Sequence, residues 1–288
     1  RLARGRLGLA TQHEGAAWPE LTLAANATAT GGGSHVFAIG DWGTLLPGHL
    51  PAPNVRPTGS HNKCPEHCDY VPGIDDQAQL LVAAQMKRRA AVSNPQYVLN
   101  AGDSFYWGGI IQPCGAGTRH ANGLTVSSFA RVWQSVYGPL TSKPWIGTLG
   151  NHDYGGWRFD MGWDQVIAYS FTNPNWVMPA RYFSRRVSHP GFSVEYFIID
   201  SNAHDAKPPA EDPEHNICGE LHNPEGATCA AVGGPTSPAH CQRWFWSSYR
   251  AQQRWLEARL AASTADWRVV LTHFPCFTDA AWYASLHR

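Results

Sequence analysis

The chain has 288 residues, 43% apolar and 15% charged, a length that suits one large domain or two small ones with ample material for a core. Its 22 basic side chains balance 22 acidic ones, which leaves no basic footprint for nucleic acid and no polybasic anchor for anionic lipid. No apolar run of about 18 residues occurs, so no membrane span is expected, and thirteen Trp argue against general disorder.

Residues 1–34 are rich in Ala, Gly and Thr, end in Gly31-Gly32-Gly33-Ser34 and read as a low-complexity tail or linker. The chain opens on Arg1 with nothing that resembles a signal peptide, so a processed N-terminus or a fragment is expected. Asn26-Ala27-Thr28 is a glycosylation sequon. From His35 the texture changes, and the domain proper is expected over 35–288. Val36-Phe37-Ala38-Ile39 runs into Gly40-Asp41, and Tyr97-Val98-Leu99 precedes Gly102-Asp103. Trp145-Ile146-Gly147-Thr148-Leu149 runs into Gly150-Asn151-His152-Asp153, and Val269-Val270-Leu271 into Thr272-His273. Short apolar runs without alternation suit strands buried on both faces.

Between them the sequence predicts a helix over about 76–92, capped by Asp75 or Asp76 and stopped by Asn94-Pro95, and a second over about 248–262 with Tyr249, Leu256 and Leu260 on one face. Residues 181–184 and 193–199 read as further strands, and 203–242, rich in Pro, His and Cys, as an irregular insertion. The order is mixed α/β.

Seven Cys occur, at 64, 68, 114, 218, 229, 241 and 276. Disulfides that staple loops in an oxidising compartment are the expected state, with Cys218, Cys229 and Cys241 forming at least one bond across the insertion. The Cys64–Cys68 spacing also suits zinc, although no second such pair follows, and the odd count leaves at least one thiol unpaired within the chain.

Asp41, Asp103, Asn151 and His273 thus fall where strands end, and ligands collect beyond the carboxyl ends of strands in open α/β sheets. Carboxylate, amide oxygen and imidazole together suit iron, manganese or zinc better than magnesium alone. Tyr106, three residues past Asp103, adds a phenolate. A bridging carboxylate can hold two cations about 3.5–4 Å apart, the arrangement of two-metal hydrolysis. The insertion histidines His204, His215, His222 and His240 read as solvated loop residues, a few of which can face the mouth of a site. Asp160, Asp164 and Asp205 read as surface acids, Asp200 as a strand-end acid, and Trp157 and Trp163 as either a lid or core.

Gly40-Asp41-Trp42-Gly43, Gly102-Asp103-Ser104-Phe105-Tyr106, Gly150-Asn151-His152-Asp153 and Val270-Leu271-Thr272-His273 resemble the first four of five signature motifs of purple acid phosphatases. The small, tartrate-resistant type of these calcineurin-like metallophosphoesterases is the nearest in pattern, and the resemblance spans about 35–288. It implies a four-layer α/β sandwich, two mixed β-sheets flanked by helices. It implies a dinuclear hydrolase of phosphate monoesters, in a secreted or lysosome-like endomembrane compartment, acting on a small phosphorylated substrate. Asp41 and Tyr106 would hold Fe(III), Asp103 would bridge, and Asn151 and His273 would hold a divalent Fe, Zn or Mn. His152 would be no ligand but an acid or hydrogen-bond donor facing the phosphate. Hydrolysis of phosphodiesters or nucleotides on the same scaffold is the alternative, and a non-catalytic phosphate-binding relative is another. Ser104 departs from the usual Asn at a position that is not a ligand. The fifth motif, Gly-His-x-His, is expected downstream of Arg288, since the sequence stops 15 residues after His273 and His287 lacks the pattern. On that expectation the domain is C-terminally incomplete.

Overall fold

The computed structural model describes residues 9–24, 33–43, 77–116, 120–212 and 215–286. The Cys64–Cys68 loop, the sequon at Asn26, His61, His67, the caps at Asp75 and Asp76, and His287 lie outside the described residues. Among the described residues there are eight strands: β1 Ala17–Thr22, β2 Val36–Ile39, β3 Tyr97–Asn100, β4 Trp145–Gly147, β5 Trp176–Val177, β6 Phe183–His189, β7 Phe192–Ile198 and β8 Trp267–Leu271. The helices are α1 Leu9–Gln12, α2 Ala78–Ser93, α3 Gly123–Phe129, α4 Ser135–Tyr137, α5 Asn151–Tyr154, α6 Trp163–Ala168, α7 Pro238–Ala262 and α8 Ala280–Ser285. Among the described residues no helix is long and apolar enough to cross a membrane.

The side-chain period of two along each strand sorts the core into layers. Tyr97, Ile146 and Val177 point inward from β3, β4 and β5 to meet Phe183, Val187, Val194, Tyr196 and Ile198 of the second sheet. Their neighbours Val98, Trp145 and Trp176 point outward, into a core shared with Phe129, Trp133 and Tyr137. On the far side Phe197 packs against Leu256 of α7, with Trp282 and Tyr283 of α8 partly buried beside them. The result is helices, sheet, sheet, helices, the four layers expected. Trp133, Trp145 and Trp176 are fully buried edge-to-face partners, 5.3–5.8 Å between centroids where Trp133 meets the other two, and such pairs add about 0.5–1.5 kcal/mol each beyond their buried area.

The sheets differ from the expectation in one respect. One is mixed, in the order β1-β6-β7-β8, with an antiparallel β6–β7 hairpin and parallel outer pairs. The other, β2-β3-β4-β5, is parallel throughout. Helices separate its strands in sequence, and each crossover returns the chain in the same direction.

Two segments correct the sequence reading. Residues 9–24 are not a tail: β1 pairs with β6, and Trp255 Nε1 donates to the Gly15 carbonyl at 2.9 Å. The helix predicted from 248 begins at Pro238, ten residues earlier, because Ser237 caps it by accepting from the His240 N–H at 3.2 Å and Pro at the first turn needs no partner for its nitrogen. The irregular part of the insertion therefore ends at 237.

Two disulfides hold that insertion. Cys114–Cys229 spans 115 residues and Cys218–Cys241 spans 23, while Cys276 is free and exposed. Loop-closure entropy assigns about 5 kcal/mol to the first and about 3 kcal/mol to the second. Reduction without denaturant should accordingly lower the melting temperature by about 10 °C or more, and peptide mapping of unreduced protein should recover both linkages.

Candidate metal centre

The loops after β2, β3 and β4 are locked to one another by backbone groups. Asp41 N–H donates to the Gly102 carbonyl at 3.0 Å, and Tyr106 N–H to the Gly43 carbonyl at 2.8 Å. Asn100, fully buried, takes Trp42 Nε1–H (2.8 Å) and Gly102 N–H (3.2 Å) on its oxygen and donates to Ser104 Oγ at 3.0 Å. Asp153, also fully buried, accepts from the N–H groups of Ser104 and Gly150, each at 2.8 Å. Burial, then the nearby Asp103 charge, push its carboxyl up to about 7. Gly150 is required here: a Cβ would collide with the Asp103 carboxylate. Asp41 and Asp103 both sit at φ 55°, a left-handed conformation that is uncommon outside glycine, although aspartate adopts it more readily than most residues, and that clusters at functional sites.

These strained turns bring three oxygens together. Tyr106 Oη lies 3.0 Å from Asp41 Oδ1 and 2.7 Å from Asp103 Oδ2. One phenolic hydrogen cannot serve both carboxylates. Burial, followed by the Asp103 and Asp41 charges, raises the Tyr106 phenol well above its ordinary range. A cation reverses that effect and satisfies all three oxygens at once, so the donor set fits a metal better than it fits itself.

His273, from the end of β8 in the other sheet, completes the group. Its ligand atom and those of Asp41 and Asp103 lie within 4.8 Å of one another. Its Nδ1–H donates to the Ala101 carbonyl at 2.8 Å, which turns Nε2 toward Asn151 Oδ1 at 3.1 Å and Asp103 Oδ2 at 3.5 Å. Burial would lower the imidazole, but the Asp103 and Asp41 charges outweigh it and hold the pKa above the ordinary histidine range. His152 stands apart from this cluster. Its Nδ1 is 2.6 Å from the Trp107 carbonyl, an acceptor only, so Nδ1 carries the hydrogen and Nε2 is left for the cleft. Its backbone N–H donates to Asp103 Oδ1 at 2.9 Å.

Behind α5 lies a second polar layer. Tyr154 Oη donates to Asp200 Oδ2 at 2.6 Å, and Asn202 Nδ2–H donates to Asp200 Oδ1 (2.7 Å) and to the Leu149 carbonyl (3.0 Å). Asp200 is thus a strand-end acid that anchors Tyr154 and, through Asn202, the Leu149 carbonyl. Next to it Arg181, 5% exposed, pairs with Glu14 through Nε (2.7 Å), donates to Ser248 Oγ (2.6 Å) and lies over the Trp244 ring at 4.3 Å.

All six residues singled out from the sequence, Asp41, Asp103, Tyr106, Asn151, His152 and His273, line one cleft of about 500 Å³. Asp205 and His215 of the insertion line it too. Asp205 is not the surface acid expected: it is 7% exposed, and burial pushes its carboxyl up to about 7. Asp164, 6% exposed, is likewise interior, its Oδ2 accepting from the Gly115 N–H at 3.2 Å. Of the two tryptophans, Trp163 is core and Trp157 stands at the cleft, its ring 5.7 Å from His152. Asn100 and Asp153 were the positioning groups that motif spacing alone does not single out, although Asp153 closes the Gly-Asn-His-Asp motif.

The fold and this cleft define a class. The calcineurin-like phosphoesterase profile matches residues 34–286, and the chain belongs to that family, whose members bind metal ions. Among curated relatives it is similar to tartrate-resistant acid phosphatase type 5: 23% identical to the Rattus norvegicus protein over 264 residues, 90% of this chain and 61% of that protein. The Mus musculus and Homo sapiens proteins are each 23% identical over 202 residues, 69% of this chain and 50% of theirs. The chain thus spans between half and about three fifths of the length of these relatives. A solved structure entitled "GAP50 the anchor in the inner membrane complex of Plasmodium" covers 88% of this chain and 61% of its own, with a TM-score of 0.46 and 13% identity.

Proposed function

We propose that this protein is a dinuclear-metal hydrolase of phosphate monoesters, of the acid phosphatase type. The observation that carries the proposal is the convergence of Asp41, Asp103 and Tyr106 oxygens around a single shareable hydrogen, with the Asn151–His273 pair beside it. Asp41 and Tyr106 would hold Fe(III), Asn151 and His273 a divalent Fe, Zn or Mn, and Asp103 both. Bound cations supply charge neutralisation at the phosphoryl oxygens and activation of water. His152 acts on the leaving group: Nδ1–H is anchored on Trp107, burial holds the imidazole below its ordinary range, and in acid Nε2, once protonated, gives a hydrogen to the ester oxygen as the P–O bond to that oxygen breaks and the bond from water forms. Two disulfides among the described residues favour a secreted or lysosome-like setting.

Metal stoichiometry together with hydrolysis of p-nitrophenyl phosphate tests the proposal; metal-loaded protein without turnover would overturn it. In iron-loaded protein Tyr106→Phe should abolish a visible phenolate-to-iron absorption band, and an unchanged spectrum would remove Tyr106 from the ligand set. His152→Ala should keep its metal and lose about 10²–10⁴-fold in kcat, whereas loss of metal would make His152 a ligand.

A further inference from the structure

Asn151 and His273 follow strands of different sheets, β4 and β8, so strand pairing does not fix how far apart they lie. Asp41, Asp103 and Tyr106 differ in this respect, because backbone contacts among the loops of the parallel sheet lock them to one another. Between the Asn151 and His273 loops lies the corner where β7 ends, Asp200-Ser201-Asn202, each residue at most 3% exposed. Ser201 Oγ accepts from the N–H of Phe274, the residue after His273, at 2.8 Å. Asn202 Nδ2–H donates to the carbonyl of Leu149, two residues before Asn151, at 3.0 Å. Asp200 accepts from Tyr154 Oη, three residues after Asn151, at 2.6 Å, and from the Asn202 N–H (2.9 Å) and Nδ2–H (2.7 Å). The corner is seated from the helix side, where Gln252 of α7 accepts the Asp200 N–H at 2.7 Å. One short segment thus grips the Asn151 loop on both sides and the His273 loop on one, while lying outside the lining of the cleft.

Resting on the function proposed above, we infer that Ser201 and Asn202 are positioning residues for the second metal alone. They set the separation of Asn151 Oδ1 from His273 Nε2, 3.1 Å, and leave the Asp41–Tyr106 half to its own backbone contacts. Three relations support it. The Ala101 carbonyl turns the His273 ring, whereas Ser201 holds the backbone that carries it. Asn202 directs its amide hydrogens to a carbonyl and a carboxylate, neither of which can donate, so the amide cannot turn over. Its Oδ1 is left buried with no hydrogen-bond partner among the described residues. A buried acceptor left unpaired costs about 1–3 kcal/mol, a cost that stability alone does not explain and the placing of two ligand loops does.

The test uses the full chain loaded with iron and titrated with Zn(II). Ser201→Ala and Asn202→Ala should each weaken zinc about 10–100-fold, the usual effect of removing a group that holds a metal's ligands from behind, and leave the Tyr106 phenolate-to-iron band in place. Ser201→Ala, the smaller change, decides the test if Asn202→Ala does not fold. Thr125→Val is the control: it removes a fully buried hydroxyl bonded to Gln112 and Gln165, on a helix that carries neither loop, and should move neither metal. Unchanged zinc affinity in the Ser201 and Asn202 variants, loss of the iron band together with zinc, or loss of zinc in Thr125→Val would each overturn the inference. Crystal structures of the metal-free variants give a reading that does not depend on the metals. Asn151 Oδ1 and His273 Nε2 should part from their 3.1 Å approach, and an unchanged separation would refute the positioning role. A wild-type chain that takes no zinc, with variants that still part these atoms, would refute the dinuclear reading and keep the role of the corner.

Discussion

On the dinuclear reading proposed above, Asp103→Asn should empty both halves of the metal site and reduce turnover on the order of 10³-fold. The substitution keeps the shape and removes the charge where the other groups meet. One oxygen of Asp103 holds the Tyr106 hydroxyl at 2.7 Å and lies 3.5 Å from His273 Nε2; the other takes the His152 N–H at 2.9 Å. On the proposed dinuclear reading, a metal shared through this carboxylate would contribute several kcal/mol of charge stabilisation, and each 1.36 kcal/mol is tenfold in rate. Asp41→Asn, by contrast, should weaken one metal and leave the other. The metal-free forms should order the opposite way in stability. Asp103 is 2% exposed and has an oxygen within 4.8 Å of the Asp41 carboxylate, so its neutralisation relieves repulsion. Elemental analysis alongside thermal melts of apo protein reads both effects, and an Asp103→Asn protein with full metal content would contradict the bridging role.

Shortening the chain to begin at residue 34, where the family profile begins, should lower the melting temperature by roughly 6–20 °C. The cut removes β1 and Glu14, and with them the charge that faces Arg181. Removing one partner of a buried ion pair costs about 3–5 kcal/mol, because the other charge stays buried without compensation, and about 2–4 °C follows each kcal/mol in a domain of this size. Glu14→Gln alone should reproduce much of the loss. Adding Arg181→Met should recover part of it, since a neutral side chain of similar volume needs no carboxylate. Equal melting temperatures for the full and shortened chains would show that the N-terminal segment contributes nothing.

The ends of β2, β3, β4 and β8 are legible because chemistry there sits in short range: an apolar run, a glycine (a threonine after β8), then a candidate ligand. The segment 17–22 is not. It carries Pro19 and Glu20 within an Ala/Thr-rich stretch and shows mostly exposed side chains, as an edge strand of a sheet can. The helices at 123–137 hid for a similar reason, since Gly123, Thr125 and Val126 are weak helix formers and the Asn122 cap, which accepts from the Thr125 N–H at 2.9 Å, is a single residue. The burial of Asp205 and Asp164, the approach of Trp157 to His152 and the pairing of Cys114 with Cys229 depend on tertiary contacts that local pattern does not encode. Asp153 lies within a motif that is legible, but its part is to bind the backbone of the loop after β3 at Ser104 as well as its own turn at Gly150, which only the fold reveals.

His273 comes from β8 of the mixed sheet, whereas Asp41, Asp103 and Asn151 come from the parallel one. On the proposed reading the cations act as a rivet through two layers that are otherwise joined mainly by apolar side chains, with hydrogen bonds such as that from Thr148 Oγ1 to the Ile199 carbonyl at 2.9 Å crossing between them. Ligand binding and layer cohesion are then one equilibrium seen from two sides. A change deep in the intersheet core, for instance in the pair of hydroxyls that Tyr97 and Tyr196 hold 2.7 Å apart, reaches the metal without touching it. On that reading chelation should in turn loosen the seam between the sheets before it loosens either sheet.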